Sequence, residues 1–360
     1  HFKDKSGRDL TLRPELTAPA MRVYLQELTH SPKPVKLYYL GDCFRYERPQ
    51  SGRYREFTQA GVELIGSSYA EAEAEVIAVS VSVLKELGLE GFEVSIGDVG
   101  VLRALLDAAG VHGNEQAQMM TAIDKGENVR PVLKGLGMPS EYEDILVGII
   151  ELKGRKDSLS KAEALIKKAG VELKKAIERL RRLEETLRFL EVMEVRCTLD
   201  LGIARGLDYY TGMVFEIYSK GLGAQEQICG GGTYSLTDVL GGEPTPTCGF
   251  AFGFDRVILA LESQGKLSSP TNDRLLVVPV GEKALEEATR IASIIRRKRG
   301  CEVDLMRRKL GKALSYAATI GCQKVVIVGE DELARGCVVL RDMKTGEQRE
   351  VKIEELDDLF

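Results

Sequence analysis

The sequence predicts an α+β catalytic-type domain, built on a mainly antiparallel sheet flanked by helices and carrying a helical insertion, followed by a small α/β domain. Three observations predict it. Segments rich in Val, Leu, Tyr and Phe lie on both sides of a Lys/Glu/Arg-dense helical stretch. The stretch QGKLSSPTND, residues 264–273, has the composition of a linker. After it, apolar strands alternate with helices, as in a mainly parallel sheet. At 360 residues the chain suits two or three domains of about 100–200 residues each.

The elements follow in order. VKLYYLGDCFRYE and GVELIG read as strands. SSYAEAEAEVIAVSVSVLKELGL reads as a helix that Ser67 or Ser68 can cap, with acidic residues in its first turns and Gly88 after it. FEVSIGD is a short strand and GVLRALLDAAGV a helix. Residues 126–195 read as the insertion; Ile177, Leu180, Leu183, Leu187 and Leu190 fall at helical spacing, which describes an amphipathic helix with a solvated charged face, or an arm that touches a polyanion. CTLDLGIARGLDYYTGMVFEIYS alternates as antiparallel strands do, ICGGGTY follows, and TCGFAFGFDRVILALES is a Gly-interrupted strand entering a helix. The expected domains are thus 1–125 and 196–264 for the two catalytic halves, 126–195 between them, and 273–360 as the C-terminal unit. In that unit RLLVVPV, CEVDLM and KVVIVGE are strands, EKALEEATRIASIIRRKRG and KLGKALSYAATIG are helices, and GCVVLRDM with GEQREVKI forms a terminal hairpin.

Composition excludes several classes. With 44% apolar and 29% charged residues, the chain is neither disordered nor fibrous. No run approaches the roughly 18 apolar residues of a membrane span. A net charge of -5 gives no global attraction to nucleic acid, so such a partner needs local basic patches. Seven dispersed cysteines without a CxxC pair, and 3 histidines, argue against zinc and for a reducing cytosol. The chain opens His1-Phe2-Lys3, without Met or a signal-peptide pattern, as if it began inside a domain.

Arginine and carboxylate placement carries the chemistry. In CFRYERPQSGRYREF, Arg45, Arg48, Arg53 and Arg55 surround a hairpin turn expected at Ser51-Gly52. Alternation puts Arg45 and Glu47 on one face, which suits phosphate and an adenine amino group, or a salt-bridged surface hairpin. In TLRPELTAP, Glu15 and Thr17 can hold an ammonium group or start a helix. Arg205, Asp208, Tyr209 and Tyr210 crowd an apolar strand region bracketed by Gly206 and Gly212. Gly230, Gly231 and Gly232 leave room for a flat ligand, and no Gly-Lys-Ser/Thr follows them, so they are not a P-loop. Arg256 lies in the apolar run GFAFGFDRVILAL and needs an anion there, either Asp255, Glu262 or a ligand phosphate.

Taken together and in order, TLRPELTAP, FRYERPQSGRYREFTQAGVELIG, RGLDYYTGMVFE, CGGGTY and GFAFGFDRVILAL resemble class II aminoacyl-tRNA synthetases, and among them the histidyl-tRNA synthetases, over nearly the whole chain. The resemblance implies ATP and L-histidine as substrates, Mg²⁺, tRNA(His) as partner, a homodimer, no membrane, and a cytoplasmic location. It implies that Arg45 binds the ATP α-phosphate, with Arg55 in the same nucleotide site, that Glu47 lies near adenine, and that Arg256 binds the γ-phosphate. Glu15, Thr17 and Gln59 match the amino-acid site, with Tyr209 beside them, and Glu63 and Tyr210 read the imidazole. Arg205 stabilises the reacting α-phosphate, so Arg205, Arg45 and Arg256 are the implied catalytic groups. The loop from Gln50 to Tyr54, including Arg53, meets the tRNA acceptor end. Residues 273–360 resemble an anticodon-binding domain. On it Arg296, Arg297, Lys298 and Arg299, then Arg307, Arg308 and Lys309, form two basic clusters, either solvated helix ends or RNA contacts. The family's motif 1 is not found, Thr58 stands where the family often has His, Thr233 where a basic residue is usual, and Asp255 where Glu is commoner. A different class also keeps this fold: a non-catalytic regulatory subunit of ATP phosphoribosyltransferase in histidine biosynthesis, which usually loses the catalytic arginines and the C-terminal domain.

Overall fold

The computed structural model describes residues 2–48, 50–154, 157–168, 173–204, 209–222, 226–267 and 274–359. The chain forms two compact units, His1–Leu267 and Ser268–Phe360.

The first unit opens with β1 (Phe2–Lys3) and β2 (Asp9–Leu10), then α1 (Thr17–Val23), β3 (Val35–Phe44), β4 (Glu56–Ile65), α2 (Ala70–Glu86), β5 (Glu93–Asp98) and α3 (Val99–Ala108). The helical stretch follows as α4 (Gly113–Asp124), α5 (Val129–Gly135), α6 (Ser140–Ile150), β6 (Lys153–Gly154), α7 (Asp157–Lys168) and α8 (Lys174–Val192). The chain then returns to the sheet through β7 (Thr198–Asp200), β8 (Tyr210–Tyr218), β9 (Gln227–Tyr234), β10 (Thr247–Gly253) and α9 (Phe254–Ser263). Eight strands pair in the order β3-β4-β10-β9-β8-β5-β7-β6. Every pairing is antiparallel except β5 with β7.

Local sequence explains most of these elements. β3 and β4 pair from Val35↔Ile65 to Phe44↔Glu56, with the connecting turn at Gly52 (φ 71°), close to where Ser51-Gly52 predicts it. α2 starts later than its two serines suggest. Its cap position is Tyr69, with no side-chain hydrogen bond, and the Ser68 carbonyl accepts from Arg182 Nη2 at 2.5 Å. On α8, Leu180, Leu183, Leu187 and Leu190 are buried as their spacing requires, and Ala176 takes the place expected of Ile177. α8 packs on α2 and α3, and one continuous apolar core runs from Met21 through α4–α8 to Leu261. The helical stretch therefore shares the core of the sheet.

The second unit contains β11 (Leu275–Val280), α10 (Leu285–Ile295), β12 (Cys301–Val303), α11 (Leu310–Thr319), β13 (Lys324–Gly329), α12 (Glu330–Ala334), β14 (Cys337–Asp342), β15 (Gln348–Lys352) and α13 (Leu356–Leu359). The order is β12-β11-β13-β14-β15; the first three strands are parallel and the last two add the expected hairpin. Alternation along β11 and β13 sends Leu275, Val277, Val326 and Val328 to the α10 side. Leu276, Val278, Val325 and Ile327 go to the α11 side. Ile291 on α10 is fully buried in the first of these cores. Ile291→Ala is expected to destabilise this unit by about 2–5 kcal/mol, read as a lower urea midpoint; an unchanged midpoint would contradict a close-packed α10 face.

Candidate active site

β10 divides the two sheet faces. Cys248 Sγ reaches the Ala72 carbonyl on α2, whereas Gly249, Ala251 and Gly253, out of phase with it, line a cavity of about 480 Å³ on the other face. The start of α1, the stretch between β3 and β4, β4, β8, β9, Asp124 on α4 and the start of α9 supply other parts of its wall. The cavity has two chemically different ends.

One end is built around Glu63, whose side chain is excluded from water. Tyr39 donates to Glu63 Oε1 at 3.1 Å and Tyr234 donates to Oε2. Burial pushes this carboxyl up to about 8, although both hydroxyls favour its charged form. The strand opposite makes room for it: a Cβ on Gly249 would lie 1.8 Å from Glu63 Oε2, so only glycine fits. Tyr209, Tyr210 and Tyr234 cluster beside it with ring centroids 4.9–6.3 Å apart. Glu15 takes the helix-start role its position allows. Its carboxylate accepts from the amides of Thr17 (2.5 Å) and Ala18 (3.0 Å), capping α1, and it also lines the cavity with Thr17. Gln59 is held by the Leu16 amide on its Oε1 at 3.1 Å.

The other end is cationic. Arg45, Arg53 and Arg256 all line it. Arg45 Nε donates to the Pro14 carbonyl at 2.8 Å, and its guanidinium lies 4.9 Å from the Phe57 ring centroid. Arg256 donates from Nε to Gly52 O (2.7 Å) and from Nη1 to Gln227 O (2.9 Å). Its guanidinium is held below its usual value by burial and then by the charges of Arg53 and Arg45. Glu47 pairs with Arg53 at 2.7 Å. Three guanidinium groups gather here, with the carboxylates of Glu47, Asp255 and Glu216 also on the cavity wall, and guanidinium groups fixed in this way suit an anionic group.

The histidyl-tRNA synthetase family profile matches residues 1–257, and an anticodon binding domain profile matches residues 274–360. The chain belongs to the histidyl-tRNA synthetase family. It is 45% identical to the histidine–tRNA ligase of Archaeoglobus fulgidus over 360 residues, covering 99% of this chain and 83% of the relative. Among solved structures, the apo histidyl-tRNA synthetase of S. aureus superposes with a TM-score of 0.69 at 26% identity, covering 100% of this chain and 84% of that one. A Bacillus halodurans C structure titled ATP phosphoribosyltransferase regulatory subunit/histidyl-tRNA synthetase gives 0.74 at 26% identity, over 91% of this chain and 82% of that one.

For a histidyl-tRNA synthetase, the departures from family pattern have local explanations. Thr58 and Asp255 meet: the Thr58 amide donates to Asp255 Oδ2 at 2.9 Å, and the Thr58 hydroxyl to Asp42 at 3.1 Å. Thr233 faces away from the cavity and donates to Glu73 Oε1 on α2 at 3.0 Å.

The structure brings Glu15, Thr17, Arg45, Glu47, Gln59, Glu63, Tyr209, Tyr210, Arg53 and Arg256 to one cavity. Arg55 is not on its wall; it donates to the Glu47 carbonyl and stacks 5.0 Å from the Tyr46 ring. Gln50 bridges to Arg53 across the turn, and Arg205 falls outside the described residues. Arg296 binds the carbonyl of Cys301, where β12 begins, and Arg307 follows the end of that three-residue strand. The members of a cluster do not share one role. Arg296 is committed to its backbone partner, while Arg297 is exposed in the turn that closes α10, with its amide donating to the Ile294 carbonyl at 3.1 Å. Arg307 projects beside a second cleft, while Arg308 is tied to Asp304 and stacked on Tyr316 at 4.0 Å. Arg296, though exposed like Arg297, engages its Nε with the Cys301 carbonyl, and Arg308 is half-buried in its contacts.

Tyr39, Tyr234, Glu216 and Gln227 are cavity or Glu63 contacts that sequence reasoning passed over. For Tyr39 a signal existed in the sequence: period two along the strand puts it on one face with Val35, Leu37 and Cys43, opposite Lys36 and Asp42.

Glu63 sets a pH dependence. Its carboxyl holds a proton in the folded state up to about 8 but in an unfolded chain only to about 4.5. Its contribution to stability is therefore fully present below about 4.5 and is lost as pH rises toward about 8. Glu63→Gln is expected to flatten that part of the pH profile of the ligand-free protein, by a few kcal/mol on the order-of-magnitude scale of such shifts. Urea unfolding at pH 5 and pH 8.5 checks it, and equal slopes in both proteins would refute it.

Proposed function

We propose that this cavity activates L-histidine with ATP and that the same chain passes the histidyl group to tRNA(His), with the residue roles given below. The observation that carries the reading is the polarity of the cavity: three arginines at one end, and a buried carboxylate ringed by tyrosines at the other.

ATP lies with its phosphates toward Arg45, Arg53 and Arg256 and its adenine toward Glu47. Histidine places its ammonium group near Glu15 and Thr17, with Gln59 alongside, and its imidazole near Glu63, Tyr209 and Tyr210. A histidine carboxylate oxygen attacks the ATP α-phosphorus, the bond to the bridging oxygen breaks, and pyrophosphate leaves. Negative charge grows on the phosphate oxygens, where fixed guanidinium groups stabilise it without a covalent enzyme intermediate. The resemblance adds Arg205 at the α-phosphate. In the second step a terminal ribose hydroxyl of tRNA attacks the adenylate carbonyl and AMP leaves. Buried polar groups facing both imidazole nitrogens reject isosteres that cannot pair with them. On the C-terminal unit the exposed Arg297 and Arg307 are the cations placed to meet RNA backbone.

No group of three or more His, Cys, Asp or Glu among the described residues is placed to hold a metal ion. That donor set fits Mg²⁺ arriving on ATP phosphates with its own waters rather than in a protein cage. Glu216 is the cavity carboxylate that would face it, held by Tyr218 and by Gln227 Nε2 at 2.6 Å. The ion would add Lewis-acid charge at the phosphates. A homodimer and a cytoplasmic place complete the reading; seven free cysteines and the lack of any helix long and apolar enough to cross a membrane, among the described residues, are consistent with the second. The regulatory-subunit alternative is disfavoured by the presence of Arg45, Arg205, Arg256 and the C-terminal domain.

Histidine-dependent ATP–pyrophosphate exchange, screened over all twenty amino acids, tests the function. Exchange with histidine alone is the expected result; none with any amino acid, from folded protein, would move the reading to ATP phosphoribosyltransferase regulation. Arg256→Ala and Arg205→Ala are each expected to slow exchange by about 10²–10³-fold, with a smaller effect on histidine binding. Equal losses in rate and binding would refute the transition-state role. Arg307→Ala should raise the KM for tRNA in charging several-fold and leave exchange unchanged, whereas Arg308→Ala should act through stability; a fall in exchange with Arg307→Ala would remove it from the RNA surface.

A further inference from the structure

We infer that Arg179, on α8, is a positioning residue for the amino-acid end of the cavity, acting by fixing the irregular stretch of β8 that aims Tyr209 and Tyr210. The inference rests on reading that end as the histidine site. The Arg179 guanidinium grips Asp98 with two hydrogen bonds, Nη2 to Oδ2 at 2.5 Å and Nε to Oδ1 at 3.1 Å. Asp98 is the last residue of β5, its side chain has no solvent exposure, and its Oδ1 also accepts the Gly100 amide that opens α3. One ion pair thus joins α8, β5 and α3.

The same guanidinium lies against β8. A Cβ on Gly212 would sit 2.2 Å from Arg179 Nη2, and one on Gly100 would sit 2.8 Å from Nε. Gly212 has no left-handed φ, so space and not backbone freedom requires its missing side chain. Gly212 falls where the β8–β9 register slips. Tyr210 pairs with Tyr234 and the next pair is Val214 with Gly232, so Thr211, Gly212 and Met213 face Thr233 alone. Extra residues of this kind bend a strand and re-aim its side chains. On its other edge this stretch meets the ion pair directly, because Met213 pairs with Asp98. The two pairs differ in register by two residues; carried on regularly from Val214, the register would set Gly212 opposite Tyr234, so the irregular stretch decides where along β9 Tyr210 stands. Neither Arg179 nor Asp98 lines the cavity, so Arg179 works through the strand.

The test uses the full chain in ATP–pyrophosphate exchange, with Arg179→Lys, Gly212→Ala, the double variant, and Tyr210→Phe. Lysine keeps the charge but loses the two-pronged grip. Arg179→Lys and Gly212→Ala are each expected to raise the KM for histidine about tenfold or more while the KM for ATP stays within about twofold. The double variant should be no worse than the single ones, because both disturb one contact. Parallel increases in both KM values, a lowered melting temperature with both KM values unchanged, or additive losses would overturn the inference. If Arg179→Lys fails to fold, Gly212→Ala decides by the same criteria. Tyr210→Phe separates the two levels: no change in histidine KM overturns the histidine reading beneath the inference. A rise there, without one in the Arg179 and Gly212 variants, overturns the positioning role alone.

Discussion

The carboxylate of Glu63, shut away from water, is the constraint around which the catalytic unit is arranged. An isolated carboxylate in such a place is costly, and proteins meet that cost with hydrogen bonds or by neutralising the group. Here both devices operate: Tyr39 and Tyr234 supply the hydrogen bonds, and burial still leaves the group protonated over most of the neutral range. The neighbouring strands accommodate the arrangement. Gly249 leaves the volume the carboxylate fills, and Gly61 leaves room for the Tyr39 ring, since a Cβ there would lie 2.4 Å from it. A site so specified suits a ligand whose polar edge replaces water rather than one that merely fits by shape.

At the opposite end the imbalance has the other sign. Arg256 is half-buried beside Arg45 and Arg53, with Glu47 the nearest compensating charge. Two backbone carbonyls, of Gly52 and Gln227, hold its guanidinium in place before any ligand arrives. Donors fixed in this way need no reorganisation when charge develops on a phosphate, which is the most direct form of electrostatic catalysis. The empty protein accordingly carries unfavourable charge crowding at one end and an unfavourable buried acid at the other. Binding one anionic and one polar substrate relieves both.

Much of this was legible in the residue order. The hairpin around Gly52, the alternation of Arg45 with Glu47, and the βα pattern after residue 273 follow from period and turn chemistry, and the motifs around Glu15, Glu63 and Arg256 assemble as their family resemblance implies. What was not legible depends on tertiary register. Arg55 shares the charge pattern of Arg53, yet it turns onto Tyr46, because a strand pattern does not say which side of a hairpin faces a cavity. Arg296 and Arg308 likewise come from basic runs, yet the first bonds the carbonyl where β12 begins and the second bonds Asp304 beyond its end. Tyr234 and Thr233 are neighbours in one glycine-rich run; one meets Glu63 and the other Glu73 on the far side of the sheet. The serines before α2 look like caps, but the Ser68 carbonyl is engaged by an arginine 114 positions away, which no local window contains.

That last contact belongs to a wider pattern that changes how the helical stretch should be viewed. Arg182 also meets Glu73 at 3.3 Å, and Glu73 accepts from Thr186 on α8 and from Thr233 on β9. Thr233 brings no charge to Glu73; the positive charge beside it comes from Arg182 on α8, one helix over. Glu73 is almost fully buried, so its charge must be matched by something, and the sequence shows only that the neighbour on β9 does not do it. The consequence is that α8 is held by two buried acid–arginine contacts, Arg179 with Asp98 at the end of β5 and Arg182 with Glu73 on α2, as well as by its leucines. Apolar packing tolerates small slides of a helix, whereas a buried ion pair does not, because misplacement leaves a charge uncompensated. α8 is therefore fixed both to the sheet, through Arg179 at the end of β5, and to its neighbour α2, through Arg182, so the helical stretch cannot shift without uncovering a buried acid.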